Sequence, residues 1–391
     1  MTKSRQILII GSSIAGISAA ESARAQDPDA EITVVSQDEF APYYRLRLCE
    51  VLDDPEIVPA LALHPPAWYE ERHINLRLGR KAIELDPEAH TVGLDNNEVL
   101  KYDSLVLTTG SHSFVPDIPG KNRPGVYTLW SMADALRLEQ ALRPVKKAVV
   151  IGGGLLGLEA AYHVSRQNIA TTIIERLPHL LANQLDDGGS TILEHRISNL
   201  GIDFITSADV VALDGISDEA GSPVRQVRLA DGKTIEADIV IISIGVRANV
   251  ELAQKAGLKV NRRITTDKAM RTSHPDIYAA GDAAEPLDYW FGLWSVSRGQ
   301  GRTAGTNAAG GTAEFDLRIP PYIVNTMETK VIVEGDKGIA DLPRYELDVL
   351  MDEDSGNYRK LVYREGIFSG FMLIGDTHDF LRLQKELEME S

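Results

Sequence analysis

Residues 146–176 read KKAVVIGGGLLGLEAAYHVSRQNIATTIIER. A short apolar run ends in a glycine turn, an alanine-rich helical pattern follows, and a second β-branched run closes the stretch. That order is a βαβ unit. Apolar runs this continuous suit strands buried on both faces of a parallel sheet. Residues 5–36, RQILIIGSSIAGISAAESARAQDPDAEITVVS, repeat the pattern, so the chain carries the unit twice.

Working outward, each unit leads into alternating apolar and polar residues, read as a β-meander. The first meander runs from Leu76 to Leu107 with a turn at Asp95-Asn96-Asn97; the second spans about 203–244 and closes on Ile241-Ile242-Ser243-Ile244-Gly245. Residues 65–73 read as a short helix entered through proline. Ser131-Met132-Ala133-Asp134 resembles a capping box, and residues 188–200 a helix ending before Gly201. A third strand–glycine–helix passage covers 264–310, and the segment from Phe315 is strand-rich with a closing helix. The fold class this predicts is α/β, with two Rossmann-like dinucleotide-binding domains and a small α+β C-terminal domain.

The second turn, Gly152-Gly153-Gly154-Leu155-Leu156-Gly157, is a full GxGxxG between strand and helix. Gly152 permits the tight turn, Gly154 lets backbone approach a pyrophosphate, and Gly157 lets the helix sit close to the strand. The phosphates would rest on the helix N-terminus. Glu175 ends the second strand, where a carboxylate accepts from an NAD ribose hydroxyl and repels the extra phosphate of NADP. NADH is therefore expected over NADPH, with the adjacent Arg176 working the other way. The bland alternative is a glycine-rich packing turn.

The first turn, Gly11-Ser12-Ser13-Ile14-Ala15-Gly16, has serine where the second glycine belongs, and the Ser13 hydroxyl can donate to a phosphate. After its second strand comes Ser36-Gln37-Asp38-Glu39, which leaves open whether Gln37, Asp38 or Glu39 meets a ribose. The third element decides the reading. Ile277-Tyr278-Ala279-Ala280-Gly281-Asp282 places an aspartate at a strand end, suited to accept from a ribitol hydroxyl, and a helix from about Ser295 would aim its dipole at a flavin pyrimidine ring.

Composition bounds the function. The 391 residues carry a formal net charge of −17, which opposes binding to nucleic acid or an anionic membrane surface. One cysteine, Cys49, excludes an intramolecular disulfide and a dithiol redox centre within one chain. The nine histidines are scattered without ligand spacing, so no metal site is expected. The longest early apolar run is too short for a signal or membrane span, and a cytoplasmic location is expected.

The two glycine units, Thr108-Thr109-Gly110, Ile244-Gly245 and Ile277–Asp282 resemble the FAD- and NAD-dependent pyridine nucleotide–disulfide reductase superfamily. Ala41-Pro42-Tyr43-Tyr44-Arg45-Leu46-Arg47-Leu48 and Gln184-Leu185-Asp186-Asp187-Gly188-Gly189 make it most similar to NADH:rubredoxin oxidoreductases and to the flavin half of NADH-dependent nitrite reductases. The resemblance implies that residues 1–114 and 247–313 form the FAD-binding domain, 115–246 the NAD-binding domain, and 315–391 the C-terminal domain. It implies that Gly11, Ser12, Ser13, Ala15, Gly16, Arg45, Ala82, Thr109, Gly110, Gly281 and Asp282 hold FAD, with Gln37 or Asp38 at its ribose and Trp294 beside the isoalloxazine. Gly152, Gly154, Leu155, Leu156, Gly157, Glu175 and Gly245 would hold NADH, and Glu159 would stand between flavin and nicotinamide.

Two positions depart from the pattern. Related ferredoxin reductases pair that glutamate with a lysine; here the position is Glu50, and two carboxylates there raise a pKa or need a cation between them, for which Arg47 is the candidate. Rubredoxin reductases often show Val-Lys-Thr near the flavin edge; here Val324-Asn325-Thr326 stands. The implied activity is hydride transfer from NADH to FAD and single-electron transfer to a small iron protein such as rubredoxin, by a monomer or homodimer. One alternative is a single-cysteine enzyme built on Cys49: an NADH oxidase, peroxidase or coenzyme A-disulfide reductase. Another is a non-enzymatic FAD/NADH-binding redox sensor.

Overall fold

The computed structural model describes residues 4–217, 219, 221–338 and 344–390. The chain divides into two compact units: Met1–Leu48, Ile57–His112 and Val246–Arg318 form one, and Cys49–Glu56, Ser113–Gly245 and Ile319–Ser391 form the other.

The first unit is built on a five-stranded parallel sheet in the order Ile277–Ala279, Ser104–Leu107, Gln6–Ile10, Glu31–Val35, Ile74–Arg77. Gln6 pairs with Glu31 and Ile7 with Ser104, which aligns the carboxyl ends of the central strands at Ile10, Val35 and Leu107. Ile7, Leu8, Ile9, Val34, Leu105 and Val106 are buried, as the continuous apolar runs require. Helix Ile14–Gln26 packs against helix Trp294–Ala308. That approach is very close: a Cβ on Gly301 or Gly305 would enter the backbone of Ala15 or Ala19.

The second unit repeats the design. Its parallel sheet runs Asp203–Ile205, Ala170–Ile174, Lys147–Ile151, Ile239–Ile242, Val126–Thr128. Lys147 pairs with Ala170, and Ala148 with Ile239. Helices Leu155–Ser165 and Asp187–Asn199 follow the strands Lys147–Ile151 and Ala170–Ile174. The residues from Tyr322 form a five-stranded antiparallel sheet, ordered Tyr322–Thr326, Thr329–Gly335, Ile367–Ile374, Asn357–Arg364, Tyr345–Asp352, and helix Phe380–Glu390 packs on it.

Both meanders begin later than the sequence pattern predicts. Ile74–Arg77 and Asp203–Ile205 are parallel edge strands, paired with Glu31–Val35 and Ala170–Ile174. The antiparallel triplets are Ala82–Asp86, Thr91–Leu94, Val99–Lys101 and Val210–Gly215, Val224–Leu229, Thr234–Glu236. Likewise Ser104–Leu107 and Ile239–Ile242, read as meander closures, lie in the parallel sheets. An edge strand is only partly buried, as in Ile74–Arg77, so its sequence looks like one side of a hairpin. The capping box is present: Ser131 Oγ accepts from Asp134 N (3.1 Å), and Asp134 Oδ2 accepts from Ser131 N (2.9 Å).

Candidate functional site

In the first unit the strand Gln6–Ile10 turns at Gly11, whose φ of +115° favours glycine and whose N–H donates to Val35 O (2.8 Å). A Cβ on Gly11 would enter the Thr108 carbonyl, and one on Gly16 the Gly11 carbonyl. Ser13 is the helix N-cap, yet its side chain makes no cap hydrogen bond, so the hydroxyl is uncommitted beside an amide-rich terminus. Ser12 and Ala15 are buried in the turn.

Asp38 Oδ1 accepts from Phe40 N (3.2 Å) and Oδ2 from Tyr43 OH (3.3 Å), which fixes the loop after the second strand, while Gln37 and Glu39 are exposed. Arg45 lies 5.6 Å over the Tyr43 ring. Arg45 and Arg47 stand on a 3-10 helix, Arg45–Leu52, whose apolar residues Leu48, Val51 and Leu52 are buried. Ala82 opens its strand.

Thr109 and Gly110 form a tied corner. Thr109 Oγ1 donates to Asn249 O (2.7 Å), Asn249 Nδ2 donates back to Thr109 O (2.8 Å), and Gly110 takes φ +66°. His112 Nδ1 lies 2.6 Å from Asn249 Oδ1, a structural contact. Gly281 has φ +75°, its N–H donates to buried Gln300 Oε1 (2.8 Å), and Asp282 Oδ2 accepts from Ser111 Oγ (2.7 Å). Trp294 begins its helix one residue before the expected start and stacks on Tyr44 at 5.9 Å.

In the second unit the turn has the same geometry. Gly152 has φ +115° and donates to Ile174 O (2.8 Å); a Cβ there would enter the Ser243 carbonyl, and one on Gly157 the Gly152 carbonyl. Gly154 differs. It caps the helix that begins at Leu155 and Leu156, and a Cβ on it would meet nothing within 4 Å. Gly245, at φ +107°, likewise faces open space. Packing explains Gly152 and Gly157, whereas the space at Gly154 is what a backbone-hugging phosphate group needs. The residues therefore fit a dinucleotide. Glu175 is already engaged: Oε2 accepts from Gly153 N (2.6 Å) and Oε1 from Leu177 N (2.7 Å), so its carboxylate braces the turn.

Glu159 lies one turn into the same helix. Its carboxyl is held above the usual carboxylate range, chiefly by burial and also by Glu50, with Thr326 and His163 working against the rise. His163 Nε2 lies 3.9 Å from Glu159 Oε2. His163 was hidden among scattered histidines; its i, i+4 spacing from Glu159 was the available signal. Cys49 is buried, and burial followed by Glu159, Asp53 and Glu50 pushes its thiol far above its ordinary value. Asn325 is exposed on its strand.

A cavity of about 540 Å³ borders Glu159, Tyr162, Arg196, Thr326, Thr329 and Lys330. Among the described residues no helix is long and apolar enough to cross a membrane.

A family model described as pyridine nucleotide-disulphide oxidoreductase matches residues 5–301. The nitrite reductase [NAD(P)H] of Bacillus subtilis is 30% identical over 393 residues; the match takes in 99% of this chain but 48% of that protein, so the chain spans about half its length. The NADH-rubredoxin oxidoreductase of Clostridium acetobutylicum is 30% identical over 334 residues, covering 85% of this chain and 82% of that protein. The crystal structure of NADH:rubredoxin oxidoreductase from Clostridium acetobutylicum superposes with a TM-score of 0.81 at 28% identity, covering 100% of this chain and 96% of that one.

Proposed function

The chain belongs to the pyridine nucleotide-disulphide oxidoreductase family, whose members are FAD-binding, NADH-dependent oxidoreductases, and on that premise we propose that it carries electrons from NADH through FAD to a small iron protein, rubredoxin foremost. The observation that carries the reading is the pair of glycine turns at the carboxyl ends of two parallel sheets, in a chain whose single cysteine is buried with its thiol pushed upward. A thiol in that state is a poor nucleophile, which disfavours the oxidase, peroxidase and disulfide-reductase alternatives built on Cys49.

In this reading the first unit holds FAD through Gly11, Ser12, Ser13, Ala15, Gly16, Arg45, Ala82, Thr109, Gly110, Gly281 and Asp282, with Trp294 beside it. Asp38 is committed to Tyr43 and Phe40, so Gln37 is the better ribose contact of the two. The second unit holds NADH through Gly152, Gly154, Leu155, Leu156, Gly157, Glu175 and Gly245. Bound FAD supplies the conversion of a two-electron donor to one-electron steps, which no side chain performs. The protein's part is to orient the dinucleotides and shield them from water.

The reading is tested by reducing the protein with NADH under anaerobic conditions and mixing it with rubredoxin, ferredoxin, coenzyme A disulfide and oxygen in turn. Fast reoxidation by rubredoxin supports it. Fast reoxidation by coenzyme A disulfide or oxygen alone would move the protein to the single-cysteine class, and a long-lived reduced complex with every acceptor would favour a sensor.

A further inference from the structure

The two oxygens of Glu159 have different surroundings. Oε1 is buried and has no hydrogen-bond partner among the described residues. Oε2 faces His163 Nε2, 3.9 Å away. His163 is itself 7% exposed, and its other ring nitrogen, Nδ1, lies 2.8 Å from Asp53 Oδ2. Asp53 is partly exposed and meets the exposed guanidinium of Arg166 at 3.1 Å. The series Glu159, His163, Asp53, Arg166 thus runs from a carboxyl with one buried oxygen, through a buried imidazole, to the surface. A carboxylate on one imidazole nitrogen fixes the ring's orientation and frees the other nitrogen for proton exchange.

We propose that His163, oriented by Asp53, is a positioning residue for Glu159, exchanging a proton with it and so setting when that carboxyl is charged. The inference rests on the placement of Glu159 in the redox site argued above. The proton on Glu159 Oε2 passes to His163 Nε2, the ring releases its Nδ1 proton to Asp53 Oδ2, and Asp53 hands it to water. The reverse sequence returns the proton to Glu159 and neutralises it, and no electrons move. The 3.9 Å gap exceeds a hydrogen bond, so a carboxyl rotation of Glu159 precedes each transfer.

Cys49, Glu50 and Asp53 come from the segment Cys49–Glu56, and Tyr162 and Arg166 from the helix that carries both residues. Tyr322 and Thr326 come from the strand Tyr322–Thr326, and Arg196, Glu328 and Lys330 border the same cavity as Glu159. Glu50 disfavours charge on Glu159; Thr326 and His163 favour it.

The test is an infrared pH titration of the full-length flavoprotein, with the carboxylic-acid band of Glu159 assigned by Glu159→Gln. His163→Gln removes the proton-accepting imidazole and is expected to move that titration upward by about one unit. Asp53→Asn, which leaves a less basic imidazole, moves it the same way by less. In the unsubstituted protein, the ¹⁵N shift of His163 Nε2 should change over the same pH range as the band. A titration unmoved by His163→Gln, or a His163 signal indifferent to it, overturns the proposal. Both signals belong to the chain's own residues, so failure of NADH to reduce the protein would overturn the functional reading and leave this one standing.

Discussion

Lys360 Nζ donates to Asp186 Oδ2 at 2.7 Å, and the lysine side chain is only 4% exposed. Asp186 also caps helix Asp187–Asn199 by accepting from Gly189 N (2.9 Å), and it accepts from Tyr358 OH (2.8 Å). One carboxylate therefore ties the helix to the strand Asn357–Arg364. The glycines beside it follow from the same contact. A Cβ on Gly188 would sit 2.9 Å from the Tyr358 ring, and one on Gly189 2.9 Å from Met372 Sδ.

Removing Lys360 should cost much more than a surface ion pair. Lys360→Met leaves a buried carboxylate without its cation, a loss of about 3–5 kcal/mol. Chemical denaturation measures it, and a loss under about 1 kcal/mol would show the pair to be incidental. The pH dependence has a definite sign. Burial works to raise the Asp186 carboxyl, but Lys360, Gly189 N–H and Tyr358 outweigh it and hold the group below the usual range. Its contribution is thus present above the unfolded value near about 4 and is lost as pH falls below that. The stability difference between native protein and Lys360→Met should narrow on acidification.

NADH should be preferred over NADPH. Glu175 follows the strand Ala170–Ile174, where a carboxylate would accept from a ribose hydroxyl and repel a phosphate. Because both its oxygens also brace Gly153 and Leu177, Glu175→Ala will loosen the turn for either cofactor. The informative quantity is the ratio of kcat/KM for NADH to that for NADPH, which should fall about tenfold. A native preference for NADPH would instead assign the discrimination to Arg176.

Cys49→Ser should keep most NADH-dependent acceptor reduction. Burial and the carboxylates of Glu159, Asp53 and Glu50 all disfavour the thiolate. Loss of turnover with every acceptor, while FAD stays bound, would establish a redox role for the thiol.

The glycine turns and the buried strands were legible because they are local: each turn lies within six residues, and each strand within five. What escaped depends on distant partners. Gly301 and Gly305 are glycines because Ala15 and Ala19 lie against them, nearly 300 residues earlier. His163 gains its meaning from Asp53, 110 residues away. The parallel edge strands failed for a related reason, since each pairs with the preceding strand across a long helical crossover rather than a turn.

The last prediction concerns an acidic protein meeting an acidic acceptor. Rubredoxins are generally acidic, and a chain at −17 repels an anion at long range, so docking needs a local positive patch. Arg298 and Arg302, on helix Trp294–Ala308, are the charges expected to supply it. They follow Trp294 at four-residue intervals, so the three share one face. Both arginines are exposed, and neither forms an ion pair among the described residues. A second sign of local positive charge is His64, held below its ordinary range by burial first and then by Arg72 and Arg298, against the pull of Glu21. The aromatic pair Tyr44 and Trp294 begins the strip, offering an apolar contact beside the charges. Reversing Arg298 and Arg302 to glutamate should lower the acceptor on-rate at least tenfold at low salt and flatten or invert its salt dependence, while NADH reduction of the flavin barely changes. Stopped-flow measurement of the two half-reactions separates these effects. If rubredoxin turnover survives the double reversal at low salt, the docking charges lie elsewhere or the acceptor is another protein.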